Sequence, residues 1–405
     1  MKEIKRDVYL NKLISARENG LIKILTGIRR CGKSYMLDPI FKNYLLAEGV
    51  DEGHIIKINL DDIENGKYLK PEALNEYIRS KITDRKMYYI MIDEVQKVEN
   101  FESVLNGLLY LKNVDIYVTG SNSRFLSSDI VTEFRGRGTE IRIRPLSFAE
   151  FMAAYEGEKN GAWDEYVVYG GMPVVLSLRT PEEKGKYLNE LFELTYKADI
   201  VERNSLEKDD ALDAVINMLA SSVGSLTNPQ KIYNSFISNG TNEISRNTVT
   251  AYIGYLLDAF LIERAERYDV KGKKYIQTPQ KYYFSDTGLR NARLNFRQLE
   301  EGHLMENVIY NELLHRGYNV DGGERKWLEI DFVCNQGYKR YYIQSALNME
   351  TREKNEQESR SLRSVDDNFK KIIIVKDSLG HWYNDEGVLV MGMEEFLLNP
   401  ESLDL

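Results

Sequence analysis

The octapeptide Gly27-Ile28-Arg29-Arg30-Cys31-Gly32-Lys33-Ser34 limits what this chain can fold into more than any other feature. Two glycines, a lysine and a hydroxyl at this spacing require a buried strand before them and a helix after them. Both flanks are legible. Leu21-Ile22-Lys23-Ile24-Leu25 is a short apolar run that reads as a strand, and residues 35–46 read as a helix. Strand, loop and helix together aim backbone N–H groups and the positive end of a helix dipole at one point, which suits a polyphosphate. Gly27 and Gly32 allow a close approach that a Cβ would block. Lys33 is placed to reach the β- and γ-phosphates, and the Ser34 hydroxyl to take a Mg²⁺ position. Gly27, Ile28, Arg29, Arg30, Cys31, Gly32, Lys33, Ser34 and Tyr35 are therefore the expected nucleotide cradle, with ATP and Mg²⁺ as its ligands.

A chain of 405 residues is too long for one compact core, and the length prior suggests about three domains. Hydrophobic residues at 42% and charged residues at 29% leave no long disordered tail indicated. The net charge of −9 opposes wholesale attraction to nucleic acid or an anionic membrane, so such binding would need a local basic patch. Residues 1–7 are charged and lack an apolar signal core, and no uninterrupted apolar stretch is long enough to span a membrane. Cys31 and Cys334 are the two cysteines, far apart in sequence, which fits a reducing cytoplasm without structural disulfides. Cys31 reads as a small residue filling the loop, or as a redox-sensitive thiol. His54, His303, His315 and His381 lack zinc-like spacing, so no zinc site is expected.

Over residues 1–144 strand-like and helix-like segments alternate, as in a parallel sheet covered on both faces. The expected strands are residues 22–25, 55–60, 87–92, 116–118 and 140–143. The third is apolar on both faces and delivers Asp93-Glu94 at its carboxyl end. In this Walker B arrangement Asp93 would hold Mg²⁺ and Glu94 would orient and deprotonate the attacking water. The alternative is an acidic pair capping the next helix. Gln96 reads either as a water-positioning group or as a solvated loop residue. The fourth strand runs into Thr119-Gly120-Ser121-Asn122. A polar side chain at this tip, Asn122 or Ser121, could sense the γ-phosphate; a plain turn is the alternative. Pro39 should kink the helix after the loop.

The order of phosphate loop, separate Asp-Glu strand and polar strand tip resembles the AAA+ ATPases. Three further motifs, Phe134-Arg135-Gly136-Arg137, Pro145-Leu146-Ser147-Phe148-Ala149-Glu150-Phe151 and Gly170-Gly171-Met172-Pro173, resemble a large prokaryotic family. Its members join an AAA-type domain to a carboxyl-terminal domain of uncharacterised function. The resemblance implies that an arginine before the last core strand reaches a neighbouring subunit's site in a homo-oligomer. Arg135 and Arg137 match that place, with Arg137 the chosen finger; a structural ion pair is the alternative. Residues 145–204 resemble the family's helical lid, broken by Gly170-Gly171-Met172-Pro173 as a sharp connection and a hypothetical hinge.

Residues 205–293 resemble a winged helix. A helix opens at Ser245-Arg246-Asn247, with Val249, Ile253, Leu256, Leu257 and Phe260 on one face. Strands at residues 261–268 and 281–284 follow, separated by Lys271, Lys273 and Lys274. The helix would enter a DNA groove while the lysines touch phosphate; a protein-docking module is the alternative. Residues 294–405 resemble the PD-(D/E)XK nuclease fold: Glu306 on a helix at 303–317, Asp331 in a strand at 328–333, then a strand at 341–344. Gln344-Ser345-Ala346 stands where that motif has acid, spacer and lysine, so the resemblance implies a lapsed nuclease serving protein or DNA binding. Residues 350–363 read as a solvated helix of mixed charge.

The expected fold is therefore α/β: a parallel phosphate-loop sheet, a helical lid, a winged-helix module and a carboxyl-terminal restriction-endonuclease-like domain. The expected activity is Mg²⁺-dependent ATP hydrolysis with Lys33, Asp93 and Glu94 as catalytic groups, driving a conformational change on a DNA or protein partner. A nucleotide-gated switch with slow turnover is the alternative, and a Mg²⁺-dependent nuclease the third. A cytoplasmic location, a homo-oligomer and no membrane partner complete the expectation.

Overall fold

The computed structural model describes residues 4–120, 134, 136–206, 210–238, 244–325, 328–349, 351–377 and 380–405. Two compact units divide the chain, one ending at Pro145 and the other running Leu146–Leu405.

The first unit is built on five parallel strands: β1 (Ile22–Thr26), β2 (Ile55–Asn59), β3 (Tyr88–Asp93), β4 (Val114–Thr119) and β5 (Gly138–Arg142). Their order is β2-β3-β4-β1-β5, in register at Ile24↔Val118 and Ile90↔Ile116. Each lies within three residues of a segment read from sequence. Parallel strands covered by helices on both faces read as continuous apolar runs, which is why β1 and β3 were legible. Helix Pro71–Lys81 buries Leu74 and Ile78, and helix Phe101–Leu108 buries Phe101, Val104, Leu105 and Leu108. These side chains meet Ile22, Ile58, Ile90 and Val118 in one core. One charged pair sits inside it. Lys23 of β1 is ion-paired with Asp115 of β4, both essentially without exposure, and Tyr117 donates to Asp115 at 2.7 Å. Burial pulls the Lys23 amine down, and Asp115 opposes the shift.

The helix after the phosphate loop is not continuous. Helical turns Lys33–Tyr35 and Lys42–Ala47 flank wide turns over Met36–Phe41, where Asp38 leaves helical angles at φ −142°, ψ 114°. The ring of Pro39 excludes the residue before it from the helical region, so the expected kink is a break one residue earlier.

The second unit holds a mixed sheet of eight strands: β6 (Ile262–Asp269), β7 (Lys274–Phe284), β8 (Asn319–Arg325), β9 (Leu328–Gln336), β10 (Lys339–Ala346), β11 (Lys370–Val375), β12 (His381–Tyr383) and β13 (Leu389–Gly392). Their order is β12-β13-β11-β10-β9-β8-β6-β7. The hairpin β6–β7 was expected as a separate wing ahead of a boundary at residue 293. Instead β6 pairs in parallel with β8 at Arg267↔Gly322 and Asp269↔Glu324, so the sheet continues across that boundary. Val270 at the hairpin turn is buried with Ile330, Val333 and Tyr342, which supplies the apolar reason. Pairing of strands this far apart in sequence leaves no local pattern to read.

Helices Phe148–Ala154, Ala162–Tyr169, Pro181–Leu191, Asp210–Ser221, Arg246–Asp258 and Glu301–His315 gather around a buried segment at the end of β7. Asn307 bonds both backbone groups of Phe284, at 2.9 and 2.7 Å, and Ser285 donates to Phe260 O at 2.7 Å. Thr287 donates to Tyr166 O, Arg290 to Ala220 O, and Asn291 to Val167 O and Val168 O. Asp286 accepts from Gly171 N–H at 2.7 Å and caps helix Thr287–Arg293. This explains the glycines of the sharp connection by packing. A Cβ on Gly170, whose φ is +73°, would lie 2.2 Å from Asp286 Oδ1, and one on Gly171 would lie 2.2 Å from Leu146 O.

Burial pushes the Asp286 carboxyl up to about 6, against backbone donors that favour its ionised form. The folded value exceeds the unfolded one near 3.8, so the stability this group contributes is complete below about pH 4 and is lost as pH rises through 6. Between these limits the wild type should lose up to about 3 kcal/mol relative to D286N. Urea unfolding of both proteins across that range measures it, and a pH-independent difference would contradict the buried carboxyl.

Candidate functional site

The phosphate loop leaves the end of β1 and is held from outside before it can hold anything itself. Gly27 has φ +134°, and a Cβ there would lie 2.1 Å from Ile143 O, a contact no side chain survives. Cys31 is fully buried and its thiol donates to Ile143 O at 3.4 Å, in keeping with a small filler of the loop. From the chain's first turn, the buried guanidinium of Arg6 donates to Cys31 O at 3.1 Å and to Arg144 O at 2.8 Å, and it lies 4.7 Å from the Tyr9 ring. Sequence reading missed this brace, because nothing local ties residue 6 to residue 31.

Of the expected cradle, Gly27, Ile28, Cys31 and Lys33 are buried, Arg29 and Gly32 are half-buried, and Arg30, Ser34 and Tyr35 are exposed. The Lys33 ammonium donates to Gly27 O and Ile28 O, both at 2.9 Å, so it bridges the first turn of the loop. Ser34 Oγ donates to Asp93 Oδ1 at 2.9 Å. The hydroxyl of Thr119, at the tip of β4, donates to the same oxygen and accepts the Glu94 N–H at 2.9 Å. Because β4 lies between β1 and β3, its tip falls between the loop and the acids. Thr119 is thus a polar group at this tip that the expected candidates, Asn122 and Ser121, did not include. Those two lie outside the described residues, as does Arg135. A threonine ending a strand gives no signal by itself, since threonine is common in strands.

The Asp93 carboxyl is raised above its ordinary value, chiefly by burial and further by Glu94 and Asp61, while the Thr119 and Ser34 hydroxyls oppose the shift. Glu94 adopts the left-handed region at φ 56°, ψ 46°, and the Gln96 amide donates to its carboxylate. Gln96 is therefore an ordered neighbour of Glu94, which its sequence context left open.

The donor set fits magnesium. That ion takes oxygen ligands at about 2.0–2.1 Å in octahedral geometry, so adjacent ligands stand about 2.9 Å apart. Ser34 Oγ and Asp93 Oδ1 have that separation. Among the described residues no group of three or more His, Cys, Asp or Glu forms a metal cage. One carboxylate and one hydroxyl suit an ion that arrives with phosphate oxygens.

Arg137 is elsewhere. It immediately precedes β5, whose first residue pairs with Ile22 at the start of β1, and Ile22 N–H bonds Arg137 O. Five strand residues, about 17 Å, separate this end of the sheet from the loop. Its guanidinium reaches Asn106 Oδ1 at 3.4 Å. Arg137 therefore stands on the opposite edge of the sheet from its own chain's loop, because parallel strands put their beginnings and ends on opposite edges; the reach expected of it is into a neighbouring subunit's site.

A second polar cluster lies in the other unit. Lys281 of β7 is almost fully buried, with its ammonium 2.7 Å from Glu306, 2.6 Å from Glu329 and 3.5 Å from Asp331. Tyr283 also donates to Glu306, at 2.6 Å, and Ser345 donates twice to Asp331. Burial works against the charge on Lys281, but the three acids outweigh it and hold the amine above lysine's usual range. Burial raises the Glu306 carboxyl, and Lys281 opposes that rise. The positive charge of this cluster therefore comes from the hairpin strand β7. No spacing rule within residues 294–405 could have found it.

Residues 19–152 match the model of an AAA domain, and residues 160–300 match a domain of unknown function (DUF8612). An uncharacterised protein of Haemophilus influenzae is 33% identical over 404 residues, covering 98% of each chain. An uncharacterised protein of Methanocaldococcus jannaschii is 28% identical over 352 residues, 82% of this chain and 75% of that one. Among solved structures, the Aeropyrum pernix ORC1 protein in complex with DNA aligns over 72% of this chain and 93% of its own, at 13% identity and a TM-score of 0.29. A DNA polymerase III gamma subunit-related protein of Thermotoga maritima aligns over 62% and 97%, at 10% identity and a TM-score of 0.28.

Removing the Thr119 hydroxyl should leave the Glu94 N–H without its acceptor and take one donor from the Asp93 carboxylate. Thr119→Val is expected to destabilise the protein by about 1–3 kcal/mol in urea unfolding. A variant as stable as wild type would remove Thr119 from the centre of the site.

Proposed function

This chain belongs to the same family as the Haemophilus influenzae protein, built on an AAA domain, and from that premise we propose that it binds and hydrolyses ATP to move a DNA or protein partner. The observation that carries the proposal is the meeting of Ser34, Asp93 and Thr119 on one carboxylate oxygen beside Lys33 and Glu94. Loop N–H groups and Lys33 bind the β- and γ-phosphates, on the positive end of the following helix. Ser34 and Asp93 would hold Mg²⁺, and a bound ion would supply the neutralisation of charge developing on the transferred phosphoryl. Glu94 orients the attacking water in line with the γ-phosphate and accepts its proton. Arg137, at the far edge of the sheet, could touch a triphosphate only in a neighbouring copy.

Two paired variants test this. Lys33→Ala should lose nucleotide binding or turnover, and Glu94→Gln should bind ATP while turning over at least a hundredfold more slowly, as expected for loss of a general base worth about 10²–10⁴. Unchanged ATPase activity in either removes that residue from its role. Tight ATP binding with negligible turnover in the wild type would instead favour the nucleotide-gated switch.

Residues 210–284 support a winged-helix reading. Helices Asp210–Ser221, Pro229–Ser238 and Arg246–Asp258 precede the hairpin β6–β7, and Thr227 bridges Gln280 as a short third strand. Arg246, Asn247 and Thr250 are exposed on the third helix, and Lys271, Lys273 and Lys274 are exposed at the hairpin tip. The succession of helix Glu301–His315, β8, β9, β10, helix Arg352–Arg363 and β11 supports a nuclease-like fold. Lys281 ion-pairs with all three acids of its cluster, which supports binding rather than cleavage there. Duplex DNA should be bound at low salt and recovered uncut in Mg²⁺. Replacing Lys271, Lys273 and Lys274 together by Ala should weaken binding and flatten its salt dependence by about three phosphate contacts. No affinity at low salt would end the DNA reading, and nicking lost in Asp331→Ala would revive the nuclease.

A further inference from the structure

We propose that Gln96 is the positioning residue that fixes the Glu94 carboxylate for attack, an inference that rests on the hydrolytic reading above. β3 ends at Asp93, and Glu94 then turns into the left-handed region, which is unfavourable for a residue with a side chain. Two bonds hold this conformation: Glu94 N–H to Thr119 Oγ1 at 2.9 Å, and Lys97 N–H to Glu94 O at 3.1 Å. The second closes the turn Val95–Lys97, and Val95 and Val98 on either side of Gln96 are fully buried in the sheet's core. The turn is therefore pinned, and it folds Gln96 back so that Nε2–H donates to Glu94 Oε2. Gln96 is itself 9% exposed, so this amide is held within the protein and not left to solvent.

The chemistry suits the task. A carboxylate has about four lone-pair positions, and the amide uses one of them, removing side-chain freedom while leaving acceptors for a proton. A glutamate left unrestrained would surrender rotamer freedom on reaching the aligned state. A lysine or arginine at position 96 would also orient Glu94, but its full charge would make the carboxylate a weaker base. A neutral donor orients it without an ion pair.

Steady-state ATP hydrolysis by the full chain tests this with Gln96→Ala, Gln96→Glu and Glu94→Gln. Misplacing a catalytic group by about 1 Å can cost 10²-fold, so kcat should fall about tenfold in Q96A and about a hundredfold in Q96E. KM and the affinity for ATP should stay within about twofold, because Gln96 acts through Glu94 and not on the nucleotide. The order of the two variants is diagnostic. Glutamate keeps the volume of glutamine but opposes the Glu94 charge, whereas alanine removes volume and adds no repulsion. If Gln96 only filled space, Q96A would be the worse of the two, and that ranking would overturn the proposal. In an E94Q background either substitution should add nothing to the loss of turnover, as expected for residues acting as one unit. Full turnover in E94Q would sink the assignment of Glu94 and this inference with it. An inactive E94Q beside fully active Q96A and Q96E would sink this inference alone.

Discussion

A carboxylate half-buried at the end of a central strand has to be met by donors, and at Asp93 those donors come from the end of β4 and from the helical turn that follows the loop after β1. Ser34 follows β1 and Thr119 ends β4, while Asp93 ends β3. The strand order β3-β4-β1 makes this possible, since β4 fills the gap between the loop and the acids. The expense of leaving such a group unpaired, about 1–3 kcal/mol or more for a charge, ties the three strand ends into one register. A triphosphate and its metal would enter a place whose polar groups already point at one another, which lowers the reorganisation needed on binding.

The loop beside it follows the same logic in reverse. Lys33 meets two of its carbonyls from within, while Cys31 finds partners for its carbonyl and its thiol from outside. Arg6 and Ile143 do this from segments 25 and 112 residues away from Cys31. Lys23 and Asp115 extend the theme into the core, where a paired charge is tolerated because each member and Tyr117 leave few unmet bonds. These interactions are structural: Arg6 and Ile143 hold the loop, and the Lys23–Asp115 pair sits toward the beginnings of the strands that carry it.

In the second unit the dominant constraint is the segment from Phe284 to Arg293. Its side chains bond backbone carbonyls or amides at the ends and connections of several helices. Lys281, a few residues earlier in the same strand, neutralises acids from helix Glu301–His315 and from β9. One strand therefore fastens the hairpin to the sheet by charge on its way to fastening the helices by hydrogen bonds. Breaking either set would leave buried charge or buried amides exposed to an apolar interior, the costliest kind of loss in a packed domain.

How much of this was legible divides along sequence distance. Residues 21–34 and 87–94 declared a strand, a glycine loop and an acidic strand end, because local apolar runs and a tight turn carry their own signatures. The AAA character and the identities of Lys33, Ser34, Asp93 and Glu94 followed from that alone. Thr119, Gln96 and Arg6 took their significance only from folding, as their contacts depend on strand order and on a left-handed turn. Arg137 was assigned by motif to a neighbouring subunit's site, and only the strand order put it at the edge opposite its own loop. The hairpin 262–284 looked like an independent wing until β8, a strand written Asn-Val-Asp-Gly-Gly-Glu-Arg with little strand propensity, paired beside it. Local sequence sets which backbone conformations are cheap, whereas charge compensation and strand pairing depend on distances that only the assembled chain possesses.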